Sequence, residues 1–349
     1  MLVYWTIFVV LAAAAMLNRE EASRQTRLPF LLLASVPTAL MIGLRWEIGP
    51  DWVNYLDQFN YTRLYSFTQA ATHGDPGYFV LNWLMHRFDA PFWVLNLICG
   101  VIFVGGLTAF CRRQPNPWLA FLVAFPYLVL VVAMSGNRQS AALGLMFFAL
   151  NAFEQRRLNH FVVLTVLAAL FHSSVFLMIP LCLLSYTRSG LQRVILLTIA
   201  VGLAFYFFQE SFSIYARRYS MEKIQSTGVA YRLAMNGFAA ILFLIFQKRF
   251  ALDDHQIRLW RNISGATLVL ILLVLVVPSS TAVDRFLLYL FPLQFVVLSR
   301  LPKMLSAGRG GEGQLTFLVV GYAALVQATF LFFGTFASSY IPYQSVFQR

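Results

Sequence analysis

Five short polar patches interrupt an otherwise apolar chain: Arg45 to Asp51, Asn137-Arg138-Gln139, His172-Ser173-Ser174, Arg217-Arg218 and Asp284-Arg285. Four of them carry arginine, whose planar fork of donors matches phosphate oxygens. Arg138 follows Ser135-Gly136 and opens a new apolar run, which puts it at a helix N-terminus that already favours anions. A plain loop charge is the alternative, but a tight apolar-to-apolar connection needs only Ser, Gly or Asn. Arg45 lies at the end of an apolar run, where Arg and Trp commonly form an interfacial belt. The polar cluster around it, with Glu47, Asp51, Asn54 and Tyr55, is denser than a belt requires. Arg285 stands four residues before Tyr289, which places the two on one helical face. A local ion pair with Asp284 at a helix start is the bland reading of that patch. Arg217-Arg218 reads either as a rim to an anion site or as a solvated face.

Two groups could move a proton. Asp51 could accept one from a sugar hydroxyl, with Arg45 contacting a phosphate. His172 falls at the junction of two short apolar runs; it reads as a base, a phosphate ligand or a packing histidine. Asp253-Asp254-His255 sits in a basic loop and reads as solvated rather than as a metal site. Cys99, Cys111 and Cys182 form no CxxC pair, which makes a metal centre or disulfide framework improbable.

The elements that position these patches are membrane spans. The 349 residues are 59% hydrophobic and 11% charged, against about 25% charged in soluble domains. The chain is therefore expected to be an all-α polytopic membrane protein, one integral membrane domain over 1–349. About twelve spans are expected, at 2–17, 28–44, 91–111, 117–134, 139–153, 160–171, 174–186, 191–208, 230–247, 263–277, 283–299 and 315–336. The first run lacks a basic flank before Arg19, so a retained span is expected rather than a signal peptide. Runs 160–171 and 174–186 are short enough to be broken or re-entrant helices lining a watery cavity, with Pro180 favouring a kink.

The net charge of +12 would suggest nucleic acid in a soluble protein; here it is loop charge that sets orientation, and nucleic-acid binding is not expected. One set of loops holds 16 of the 26 Lys and Arg residues and the opposite set holds 10, so the richer side is expected to be cytoplasmic and the five patches to lie outside. Two outer segments are long, about 45–90 and 209–229. The first contains the turn signal Gly74-Asp75-Pro76-Gly77 and then, over Tyr78 to Phe88, a pattern that fits an interfacial helix. No internal repeat is evident, which lowers the case for an inverted-repeat transporter.

The ordered set of patches resembles the EpsG family, a branch of the Wzy-like bacterial polysaccharide polymerases. The resemblance is carried by Leu44-Arg45, Ile48-Gly49-Pro50-Asp51-Trp52 and Tyr55, then Asp75-Pro76-Gly77-Tyr78, Asn137-Arg138-Gln139 with Ala141-Ala142, Phe171-His172-Ser173-Ser174, and Arg285 with Tyr289. It covers roughly residues 40 to 290. Pro50 stands where a small polar residue, often Thr, is expected, and Asp75 where Glu is expected; both leave the sub-family open.

The resemblance implies a GT-C-type glycosyltransferase in the bacterial inner membrane, with its active site facing the periplasm. It would join oligosaccharide repeat units carried on undecaprenyl pyrophosphate, without a metal or other cofactor and with inversion. A flippase and a chain-length regulator are implied as further partners. The implied catalytic groups are Arg138 and Arg285 for the pyrophosphate, with Asp51 or His172 as base. Arg45, Tyr55, Tyr78, Asn137, Gln139, Arg217, Arg218 and Tyr289 would bind substrate.

Three other readings compete. A ligase of the O-antigen type would use the same donor. A lipid-linked oligosaccharide flippase or other transporter would need charges deep within spans, whereas these patches lie at span ends. An acyltransferase with His172 as base would need an activated acyl donor, usually met from the cytoplasmic side, where no His or Asp/Glu constellation appears.

Overall fold

A computed structural model describes residues 1–18, 24–187, 189–218, 228–276, 280–306 and 310–348. Among these residues the architecture is helical, with one isolated β-bridge between Arg45 and Ser345. Each expected span overlaps helix where it is described. In chain order these are α1 (Leu2–Leu17) and α2 (Arg24–Gly43); three short helices, α3 (Trp52–Thr62), α4 (Phe67–Thr72) and α5 (Pro76–Arg87); then α6 (Phe92–Cys111) and α7 (Pro117–Ala124), which continues as a π-helix over Phe125–Ala133. Next come α8 (Asn137–Glu154), α9 (Leu158–Phe171), a 3-10 turn at Ser173–Leu177 running into α10 (Met178–Leu183), and α11 (Gly190–Arg218). The chain ends with α12 (Val229–Phe246), α13 (Asp254–Val276), α14 (Ser280–Leu287), α15 (Pro292–Ser306) and α16 (Glu312–Phe333).

Among the described residues, five helical segments are long and apolar enough to cross a membrane: Phe92–Cys111, Val229–Arg249, Asp254–Val274, Val283–Ser306 and Glu312–Phe333. Further apolar helices, including Leu2–Leu17 and Pro117–Ala133, are shorter. Between such helices lipid is as apolar as leucine, so close contact and polar links hold them together. A Cβ added to Gly106 of α6 would lie 1.9 Å from the carbonyl oxygen of Gly144 in α8, a distance only glycine allows. Ser35 of α2 and Thr108 of α6 share a buried hydrogen bond of 2.7 Å.

The expected long segment at 45–90 is a cap of α3, α4 and α5 over one end of the bundle. Ser66 and Gln69 cap α4 reciprocally. The cap has its own aromatic cluster of Trp52, Tyr55, Phe59, Tyr78 and Phe79, tied to the bundle through Phe92 and Leu95 of α6. Burying each such ring from water contributes about 1.5–3 kcal/mol.

At the opposite, far end, Asn116 donates to the Ala15 carbonyl at 3.0 Å, Arg258 to that of Ser185 at 2.8 Å, and Arg300 to the side chain of Gln114. Loops expected to be cytoplasmic meet there, and the patches around Asp51, Arg138 and His172 gather beneath the cap. Two boundaries differ from expectation. Helix α13 begins at Asp254 rather than near 263, because Asp253 and Gln256 exchange capping hydrogen bonds of 2.9 and 3.2 Å. Helix α11 runs on to Arg218, through the start of the segment expected at 209–229; residues 219–227 lie outside the described chain.

Candidate functional site

Three helices start at one place. Asp51 is the N-cap of α3, Asp75 the N-cap of α5, and Gly136 the N-cap of α8. An N-cap aspartate ordinarily accepts a bond from its own helix. Neither does so here. The Asp51 carboxylate instead accepts a 2.8 Å hydrogen bond from Ser135, and Asp75 takes a 2.9 Å charge-assisted bond from Nη1 of Arg138. Both carboxylates are thus drawn onto the connection that opens α8.

Two glycines permit this convergence. Gly49 has φ +94, and a Cβ there would lie 2.6 Å from the Met134 carbonyl. Gly77 packs against Leu170 at the end of α9, where a Cβ would come within 2.9 Å of the leucine side chain. The first contact lays the Asp51 loop on the α8 entry; the second brings Asp75 beside His172.

His172 sits in extended backbone (φ −159, ψ 109) between α9 and the 3-10 turn, the break expected from the two short runs. Its Nδ1 is 3.9 Å from the Asp75 carboxylate, and its Nε2 is 3.4 Å from the Gln139 amide. The side chains of Arg138, Asp75 and His172 are 33%, 11% and 15% exposed, so the cluster is sheltered and still reachable. The Arg138 guanidinium also lies over the Tyr55 ring at 5.7 Å. Tyr55 and Tyr78, in edge contact at 5.7 Å, are both raised in pKa by burial, with Arg138 opposing the shift at Tyr55. Both hydroxyls stay protonated.

Arg45 is placed behind the cluster. It is 1% exposed; Nη1 donates to the Ile42 carbonyl at 2.5 Å and Nη2 to Asn137 at 2.6 Å. Asn137 passes the link on to Asn96 of α6 at 2.7 Å. Arg45 therefore orients the residue before Arg138 and does not itself present to a phosphate in this structure.

Arg285 is exposed at the end of α14, and among the described residues it makes no ion pair. Asp284 does not pair with it. Asp284 receives two bonds from Arg232 of α12, at 2.5 and 2.8 Å, with Arg232 also over the Tyr127 ring. Tyr289 is buried in a 3-10 turn after α14, so the expected four-residue helical face is interrupted; it still lies within electrostatic reach of Asp75 and Arg285. Arg217 and Arg218 close α11, and their side chains lie outside the described part of the structure.

Asp75, Ser135, Asn96 and Arg232 stand in or behind the site without being among the candidates expected from sequence. Asp75 had a signal: an aspartate before Pro-Gly at a helix start, which reads locally as a cap.

A family model described as the EpsG family matches residues 28–345. The chain belongs to the EpsG family. No curated protein and no solved structure gave a significant match. EpsG is a Wzy-like polymerase family, so membership implies a polysaccharide polymerase with glycosyltransferase-like activity in a multi-pass helical membrane protein. In this EpsG-family chain the motif residues Asp51, Asp75, Arg138 and His172 meet under the cap, with Arg45 behind them.

Proposed function

We propose that the chain polymerises oligosaccharide units carried on undecaprenyl pyrophosphate, working at the periplasmic face of the bacterial inner membrane. The observation that carries this reading is the convergence of three helix N-termini with Arg138, Asp75 and His172. Helix N-termini and a partly exposed arginine favour an anion, and the neighbouring carboxylate and imidazole can handle a proton. A GT-C-type bundle of about twelve spans, with the cap outward, agrees with the lysine and arginine bias of the loops.

In the reaction an acceptor sugar hydroxyl attacks the anomeric carbon of the donor glycan. The bond from that carbon to the pyrophosphate oxygen breaks, and lipid pyrophosphate leaves with the electron pair. Attack from the opposite face inverts the anomeric centre. Arg138 and Arg285 stabilise charge on the leaving group, which lets the transfer run without a metal. His172 takes the hydroxyl proton on Nε2 as the substrate displaces the long Gln139 contact; Asp75, beside Nδ1, steadies the imidazolium. Asp51 is the competing base, because its carboxylate is exposed and held by a single bond from Ser135. Partly exposed Trp46, braced edge-on by buried Trp52, gives aromatic surface for sugars, while buried Tyr55 and Tyr78 back the site. A flippase would supply the units and a chain-length regulator would act on the product.

The test is polymerisation by purified protein in liposomes supplied with lipid-linked repeat units. A ladder of longer lipid-linked chains is expected. A single transfer to a different acceptor would instead support a ligase, and translocation without a new bond would support a transporter. His172→Ala should abolish the ladder while Asp51→Asn leaves part of it; the reverse pattern would move the base to Asp51.

A further inference from the structure

The last residues of the described chain return to the site. After α16, residues 334–348 pass the end of α2, where the Tyr343 hydroxyl donates to the Met41 carbonyl, and pair with the Leu44 to Gly49 backbone. Trp46 donates to the Gln344 carbonyl at 3.0 Å, Val346 to that of Leu44 at 2.9 Å, and Gly49 to that of Ser339 at 2.9 Å. Arg45 and Ser345 form the isolated bridge between the two segments. The loop has few regular bonds of its own, so this strap fixes its path.

Tyr340 is the anchor of the strap. It is 1% exposed, and Phe330 of α16 contacts its ring edge-on at 5.1 Å. Its hydroxyl donates to the Val131 carbonyl at 3.0 Å, on the π-helix that leads into Ser135 and Arg138. Its own carbonyl accepts from the Tyr4 hydroxyl at 2.7 Å. The hydroxyl also lies beside Ser135, the partner of Asp51, and within electrostatic reach of Asp51 and Arg45. One buried side chain therefore links the π-helix, Ser135 and the strap that holds the loop. Packing alone would be met by phenylalanine.

We propose that Tyr340 is a positioning residue for glycosyl transfer: through the Val131 carbonyl and the backbone of the 334–348 strap, it sets the register of the Asp51 loop against the Arg138 helix. This rests on the polymerase reading for its effect on rate, but not for its effect on geometry.

The experiment has two arms, run on the full chain in liposomes. In the first, Tyr340→Phe should lower kcat for polymerisation about tenfold, with KM for the lipid-linked unit held within twofold. Tyr340→Ala should lower it further. In the second, a single cysteine is placed at exposed Pro50 (Pro50→Cys) or at exposed Arg63 (Arg63→Cys), and its reaction with a membrane-impermeant maleimide is timed. Cys99, Cys111 and Cys182 are buried and silent. Adding Tyr340→Phe should change the labelling rate at position 50 severalfold and leave position 63 unchanged. Equal change at both positions would mean general loosening and would overturn the proposal, as would no change at position 50 together with unaltered kcat. If the parent chain makes no polymer, the polymerase reading fails, and the labelling arm alone decides the role of Tyr340.

Discussion

At the far end of the bundle Glu154 of α8 accepts a 3.0 Å hydrogen bond from the Trp260 indole, with Arg300 and Arg113 close enough to offset its charge. Arg300 is itself satisfied by Gln114 and by the Val296 carbonyl. Under the cap, at the other end of the same helix, Asp75 and Arg138 pair at 2.9 Å, but the arginine keeps a third of its side chain open. Arg285 and Asp51 are more open still. Both ends bury charge in apolar surroundings, where an unpaired ion costs several kcal/mol. The far end closes its network on itself, which is what a helix clamp requires. The cap end leaves donors and a carboxylate facing outward, which suits a site that must meet an anion and a hydroxyl.

Removing the cation at the cap end should give the largest effect. Arg138→Ala is expected to cut polymerisation by on the order of 10²–10³-fold, the scale seen when one charge-stabilising donor is lost. Its thermal midpoint should move little, because the side chain is partly solvated. Arg138→Lys should recover only a fraction, since an ammonium cannot hold Asp75 and a phosphate oxygen with one planar fork. A variant that loses stability and not rate would make the two ends alike and remove the reason to place the site under the cap.

The converse holds at the far end. Glu154→Leu strands the Trp260 N–H and leaves Arg300 and Arg113 without their shared anion. A loss of about 3 kcal/mol of stability is expected, as for breaking a buried charged contact. Specific activity per folded molecule should stay within twofold of the parent. Thermal unfolding in detergent, beside the liposome assay, separates the two quantities. A fall in specific activity with unchanged melting would show that the far end takes part in turnover.

The contrast between the ends also explains what could be read from sequence. Most helix positions and the breaks at 136 and 172 follow from local hydropathy and from residues such as Gly136; the start of α13 and the end of α11 do not. The partners of the charges do not. Asp284 sits next to Arg285 in the chain, yet pairs with Arg232, 52 positions away, because α12 and α14 lie side by side. Asp51 reads as a candidate base and Asp75 as part of a turn; that both stand at helix starts and are drawn off their own helices shows only once α8 approaches. Arg45 reads as a phosphate contact in a cluster denser than an interfacial belt, and its burial becomes visible only once Asn137 and the strap at 334–348 close around it. That strap carries no periodic signal, since its bonds are backbone bonds to a loop near the other end of the chain.

The smallest effect gives the finest comparison, between two serine hydroxyls. Ser35 bonds Thr108 inside the bundle at 2.7 Å; Ser135 bonds Asp51 at the open site at 2.8 Å. Hydrogen bonds between spanning helices average about 0.6 kcal/mol, so Ser35→Ala should lower the melting point slightly and leave rate unchanged. A net contribution of about 1 kcal/mol for the Ser135 bond corresponds to roughly fivefold, and Ser135→Ala should show it in kcat. The sign of the difference matters more than its size. Ser135 holds a carboxylate that the solvent would otherwise hold, so its loss costs little stability but releases Asp51 from the α8 entry. If Ser135→Ala lowered melting as Ser35→Ala does and spared kcat, Asp51 would be a structural cap of the loop, and His172 with Asp75 would remain as the sole proton-handling pair.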